Sequence, residues 1–457
     1  MIVDLIIENG TVVLPHASLR NHVIVHDGRV REITMFDDLP EARQRIDAAG
    51  LYVLPGLIDP HVHFRAPGLE YKEDFTTGSQ ASAAGGITCV LDMPNVVPPT
   101  WDVAGFEAKQ RCADGRSYVD YGIYAVIAAG TLEHILPLAD AGVCGYKIFM
   151  GESVGKIPTP ADGEILDAWQ IMRETGLRCG VHAEDNSILF YLREKLQKQG
   201  RNDPMVHVEA RPSIAEAECI SRAIMFAEHC GSKLMLFHMS AKEGVGLLRA
   251  AKQRGVDVMG ETAPHYLLCE AEEMVTRGLG SIMKVNPPIR SREHAKVLWD
   301  GIADGTIDVI GSDHAPHSPE EKVASDPFSD IWNALGGCPG VETVVSLMLT
   351  QVNEGRLTLN RYVELQAEWP ARAWNLWPRK GSLKVGSDAD LTIVDMHKEG
   401  VIDNQRLHSK TKLSPFHGWR VKGMPVYTIV RGHIVAKDGE VVGSPVGQLQ
   451  RPIVRSN

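Results

Sequence analysis

Between residues 55 and 370 the chain alternates short apolar runs with helix-patterned stretches. The runs are GLIDPHVHF, ITCVLDMP, VDYGIYAVI, GVCGYKIFM, LRCGVHAE, KLMLFHMS, VDVMGETAPH and IDVIGSDHAPH. Strand and helix in alternation predict an α/β fold with a parallel sheet, and eight units in this length predict a (β/α)8 TIM barrel rather than an open doubly wound sheet. One helix carries its own start signal: Ser213 and Glu216 form an S-x-x-E capping box after Pro212 and before IAEAECISRAIMFAE. Residues 1–54 read instead as short strands with turns at Asn9-Gly10 and Asp27-Gly28, and residues 371–457 read the same way, with turns at Arg431-Gly432 and Asp438-Gly439. The two ends are therefore expected to pair into one small β-sandwich domain beside a barrel of residues 55–370.

Composition narrows the functional class. The 457 residues are 44% hydrophobic and 23% charged, an ordinary globular balance. A net charge of -11 argues against nonspecific nucleic-acid binding and against an anionic membrane surface, so an anionic substrate would need a locally positive site. The eight cysteines stand singly with no C-x-x-C pair, which suggests neither a disulfide framework nor a thiolate zinc site and fits a reducing, cytoplasmic compartment. MIVDLIIENGTVVLP has an early Asp4 and no basic leader, so neither export nor a membrane span is expected.

The apolar runs are interrupted near their carboxyl ends by ionisable residues: His61 and His63, Lys147, His182, His238 and Asp313. A barrel gathers its strand ends at one mouth, so six residues distant in sequence would meet. His61 and His63 share a strand face by the two-residue period, and one divalent ion can accept both imidazoles. Lys147, among Tyr, Ile, Phe and Met, would be desolvated, which lowers a lysine's pKa. Its neutral amine can take up carbon dioxide to form a carbamate able to bridge two metals. Taken alone, His182 reads more readily as a hydrogen-bonded core histidine than as a ligand, and His265 is left with that reading. Jointly the six residues point to a binuclear metal hydrolase.

This ordered set resembles the amidohydrolase superfamily, and within it the cyclic amidohydrolases: dihydroorotases, hydantoinases or dihydropyrimidinases, and allantoinases. The resemblance runs from the amino-terminal strands to SPFHGWRVKGMPVYTIVRG. It implies that His61, His63 and Asp313 bind one divalent ion and His182 and His238 the other, with carboxylated Lys147 and a hydroxide bridging them and Asp313 as general base and acid. Zinc suits the histidine and oxygen donors, although such sites also accept manganese or cobalt. The substrate class implied is a small cyclic ureide or amide, and a homo-oligomer, dimer or tetramer, is expected.

Arg65 bears on which ring is opened. It can pair with Glu70, Glu73 or Asp74, or it can grip a substrate carboxylate bidentately. HFRAPG resembles the dihydroorotase signature, in which this arginine binds the substrate carboxylate, and Asn95, Asn286 and His317 match positions associated with the same substrate. Other features point elsewhere. Ala66 stands where dihydroorotases usually have an acid, PHYLL at 264–268 reads like allantoinases or hydantoinases, and the tail extends in the hydantoinase manner. FMGESVG (149–155), however, lacks the tyrosine with which hydantoinases hold the ring. The expectation is a dihydroorotase, with a hydantoinase, dihydropyrimidinase or allantoinase as the alternative. A catalytically silent scaffold is the remote third reading, disfavoured because all six ligand positions are intact. GGCPGVET (336–343) is read as a substrate-side loop, and PHSPEEKVASDPF (316–328) as either a mobile lid or an exposed connection.

Overall fold

The strand-patterned ends of the chain meet in one sheet. In this computed structural model, which describes residues 2–152 and 157–453, the amino-terminal strands are β1 (Val3–Leu14), β2 (Ala17–His26), β3 (Arg29–Thr34), β4 (Ala42–Asp47) and β5 (Tyr52–Pro55). Asp27 and Gly28, at φ 50° and 71°, make the tight turn between β2 and β3 that their sequence predicts. Asn9-Gly10 does not turn the chain. β1 runs through it, paired with β2 from Leu5 to Leu14, and the extra residue is absorbed as a bulge with Asn9 at φ 61°.

The barrel strands follow: β6 (Leu57–Val62), β7 (Ile87–Asp92), β8 (Asp120–Val126), β9 (Gly145–Phe149), β10 (Arg178–His182), β11 (Lys233–Leu236), β12 (Val258–Thr262) and β13 (Val309–Ile310). All eight coincide with the apolar runs. They are hydrogen-bonded in sequence order, and parallel pairing of Val62 with His314 brings the last unit back to the first. The carboxyl-terminal strands are β14 (Leu391–Val401), β15 (Arg420–Val430), β16 (His433–Lys437) and β17 (Glu440–Val441). β14 lies antiparallel to β5, with Thr392 opposite Leu54, so both ends of the chain share a nine-stranded sheet. Its core is aliphatic, with Leu5, Val23, Val53, Leu391 and Ile429 buried.

Two packing features set the floor of the barrel. Trp374 stacks on Phe237 at 5.9 Å between ring centroids and meets Tyr124 edge-on at 4.7 Å. Gly180 of β10 makes room for this arrangement, because a Cβ there would lie 1.8 Å from the Phe237 ring. The helix Ser213–Cys230 forms as expected, but not with the expected cap. Pro212 occupies the N-cap without a side-chain bond. The Glu216 carboxylate instead accepts from the Ser240 and Ala241 amides and pairs with buried Arg290 at 2.9 Å. An exposed cap is worth about 1 kcal/mol, whereas leaving a buried guanidinium unpaired costs about 3–5 kcal/mol, so the tertiary pairing wins the carboxylate.

Candidate metal centre

All six residues singled out at the strand ends reach one small cavity at the carboxyl-terminal mouth of the barrel. His61 lies within β6 with His63 just beyond it, Lys147 sits within β9, and His182 closes β10. His238 and Asp313 follow β11 and β13 by two and three residues, and both turn inward through left-handed backbone, at φ 39° and 46°. Arg65 shares that conformation at φ 62°. Non-glycine residues rarely hold such angles, and they concentrate where a site constrains the chain.

The donor atoms converge. Asp313 Oδ1 lies 3.5 Å from His61 Nε2 and 3.3 Å from His63 Nε2, and His182 Nδ1 lies 3.2 Å from His238 Nε2. Three of the rings are fixed from behind. His61 Nδ1 donates to Glu261 at 2.8 Å, His63 Nδ1 to Asn95 Oδ1 at 2.7 Å, and His182 Nε2 to Glu184 at 2.8 Å, Glu184 itself being paired with Arg211. This outer shell selects the tautomer that leaves the opposite nitrogen available to an ion. Burial and neighbouring cations, Lys147 among them, hold His61 and His238 well below the usual imidazole range. They are therefore neutral, as ligands must be.

Lys147 Nζ lies 4.3 Å over the Phe237 ring and 5.0 Å over Phe149. Burial pushes its ammonium down to about 7, with Asp313 and Glu261 opposing the shift. A substantial neutral fraction near pH 7 is the form that reacts with carbon dioxide. Burial also raises the Asp313 carboxyl above its ordinary value, and His265 and Lys147 moderate that rise. Two other groups of carboxylates and histidines come close enough to hold an ion among the described residues. Asp4, His26 and Asp27 form a surface group, and Asp120, Asp388 and Asp390 already surround the Lys380 ammonium.

The proposed substrate residues divide. Arg65, Asn95 and Asn286 line the cavity, together with Gly336 and Gly337 of the glycine-rich loop. Arg65 is 2% exposed, and none of Glu70, Glu73 and Asp74 pairs with it. Glu73 is engaged by Thr77 and Ser409, and Asp74 by Thr77 and Lys410, while Arg65 Nε donates to the Pro316 carbonyl. His317 stands behind the cavity wall, its Nε2 3.2 Å from Arg65 Nη2 and 3.1 Å from the Gly336 carbonyl. It therefore supports Arg65 rather than facing the cavity.

Glu261, Glu184 and Phe237 were not singled out in the sequence, although Glu261 is a lone acid in an apolar run just as Lys147 is a lone base. His265 is a buried core histidine packed 4.1 Å from the Tyr266 ring, with its Nε2 unpartnered among the described residues. The 316–328 segment is anchored by buried Lys322, whose Nζ donates to the Lys284 and Leu335 carbonyls. Residues 153–155 of FMGESVG lie outside the described residues.

Known proteins share both sequence and architecture. A profile described as "Amidohydrolase family" matches residues 52–435. The chain is 37% identical to an L-hydantoinase of Paenarthrobacter aurescens over 442 residues, covering 96% of each. It is 36% identical to an allantoinase of Solibacter usitatus, covering 98% of this chain and 97% of the relative. It is 37% identical to a dihydroorotase of Citrifermentans bemidjiense, covering 94% and 99% respectively. Among solved structures, the L-hydantoinase (dihydropyrimidinase) from Arthrobacter aurescens superposes with a TM-score of 0.95 at 36% identity, over 98% of this chain and 99% of that one.

Proposed function

The chain belongs to the amidohydrolase family, and from that premise we propose that it opens, and in reverse closes, a cyclic amide ring at a two-metal centre. His61, His63 and Asp313 would hold one ion and His182 and His238 the other, with Lys147 as a carbamate between them. The donor set fits that assignment: the imidazoles are neutral, three are braced from behind, and the lysine amine is desolvated. When bound, divalent ions, zinc for these donors, supply Lewis acidity toward the ring carbonyl and lower the pKa of a nearby water. Asp313, at the mouth beside His61 and His63, takes the proton of the attacking water and returns it to the leaving amide nitrogen.

Dihydroorotate is the substrate favoured by one observation. The Arg65 guanidinium is buried on the cavity wall, and no carboxylate of the described residues forms an ion pair with it. Asp313, Asp92, Glu321 and Glu73 favour its charge only from beyond pairing distance, and a substrate carboxylate would supply the direct partner. Asn95 and Asn286 line the same cavity, and His317 steadies the arginine. The second reading, a hydantoinase or allantoinase, is supported by the L-hydantoinase and allantoinase relatives.

A matched panel of dihydroorotate, hydantoin, dihydrouracil and allantoin, offered to metal-replete protein, tests both readings. Preference for dihydroorotate is expected, with Arg65→Met raising its KM by about tenfold or more, the scale of one lost charge-assisted contact, and leaving metal content intact. Activity confined to rings without a carboxylate would keep the metal chemistry and overturn the substrate. Unchanged dihydroorotate kinetics in the variant would remove Arg65 from the site.

A further inference from the structure

Beside the metal-lined cavity, of about 30 Å³, opens a second of about 410 Å³, and the two share Asn286 and Gly336 as a common wall. Asn286 Oδ1 is buried there without a hydrogen-bond partner among the described residues. The larger chamber is walled by the helix Asn186–Lys198, by His207 and by Trp332, Ala334 and Leu335.

Its polar lining is unbalanced for a chain of net charge -11. Arg193, Arg211 and Lys284 face it, against Glu152 alone among the acids. Arg211 is neutralised by Glu184. Arg193 pairs with Glu152 at 2.6 Å, its guanidinium 5.0 Å over the Phe190 ring and its side chain 35% exposed. Buried Lys284 forms no ion pair with any carboxylate of the described residues, and Asp330 acts on it only from beyond pairing distance. Its Nζ donates to the Ile331 and Ala334 carbonyls at 2.7 and 2.6 Å, leaving the positive charge uncompensated. Burial and the nearby cations Lys322, Arg211 and Arg193 push that ammonium down to about 7 against the opposing pull of Asp330, and an anion in the chamber would favour its charged form.

We infer that this chamber seats a substituent carried by the ring and ending in a carboxylate, which is received by Lys284 and Arg193. The inference rests on the ring-opening reading, but not on the role given to Arg65. It makes Arg193 and Glu152 specificity determinants of opposite sign. Arg193 attracts the substituent, and Glu152 competes with it for the same guanidinium.

The test is an isosteric pair, 5-(2-carboxyethyl)hydantoin and its carboxamide, measured for turnover by metal-replete enzyme and for binding by calorimetry. Wild type is expected to favour the carboxylate by about tenfold. Arg193→Gln should cut that ratio about fivefold, the scale of one partly exposed charge contact, without moving the carboxamide. Glu152→Gln should raise the ratio. Equal handling of the pair by wild type, or a ratio unmoved in both variants, overturns the inference and leaves ring opening intact. If neither compound is opened, only turnover of hydantoins is excluded, and ring opening is judged by the dihydroorotate panel. The calorimetric ratio then decides the chamber alone, a preference for the carboxylate supporting it and equal affinities overturning it.

Discussion

Lys147 shows how a single side chain can be legible in sequence and still depend on its surroundings for chemistry. An ammonium flanked by Tyr146, Ile148 and Phe149 signals desolvation, but its placement over Phe237 depends on Gly180, thirty-three residues further on, having no side chain. Lys147→Ala is expected to lose one or both metals and nearly all activity, with partial recovery when a small carboxylic acid is added to replace the carbamate. Metal analysis and turnover with and without acetate measure this, and full activity without added acid would sink the bridging role. The braces behind the imidazoles were harder to read. Glu261 and Glu184 lie 200 and 2 residues from the histidines they hold, and the first of these pairings exists only because closure of the barrel through β13 brings β12 within one strand of β6.

At the scale of the element, local signals were right about existence and wrong about detail wherever a tertiary partner competed. Asn9-Gly10 has the composition of a turn, yet continuous pairing with β2 on both sides makes it a bulge. Ser213 and Glu216 have the spacing of a capping box, yet Glu216 is spent on Ser240, Ala241 and Arg290. Ser213→Ala is accordingly expected to change stability by no more than about 0.5 kcal/mol, as at an ordinary surface position. Glu216→Ala should cost about 3–5 kcal/mol, because it leaves the Arg290 guanidinium buried and unpaired. Chemical denaturation of the two variants distinguishes these outcomes, and a larger loss for Ser213→Ala would restore the cap.

For the whole molecule, the joint between barrel and sheet is electrostatic as well as apolar. Lys380 is fully buried among Asp120 of β8, Asp388 and Asp390, and Arg431 from the β15–β16 turn joins Asp120. Its ammonium is raised above the ordinary lysine value by the three aspartates, which outweigh the cost of burial. A raised lysine pKa means that its contribution is complete below the unfolded value of 10.5 and is lost only at higher pH. Lys380→Met should therefore destabilise at pH 7 by about 3–5 kcal/mol. The deficit should shrink as pH falls toward 4, because the Asp390 carboxyl, already raised by burial, can then be protonated. Denaturation at pH 7 and pH 4 would show this, and a deficit independent of pH would mean that the carboxylates are not the source of the loss.

The sequence by itself determined the eight strands, the pairing of the two ends and the six residues that meet at the candidate metal centre. Each of these rests on a signal confined to a short stretch, whether alternation, an apolar run or a polar residue at its carboxyl end. Only the tertiary structure decided which carboxylate braces which imidazole, that Arg65 lines the cavity while His317 stands behind it, and that a charged chamber adjoins the site. Those outcomes depend on distances between segments far apart in the chain and on which buried charge finds a partner first, and no local pattern encodes either.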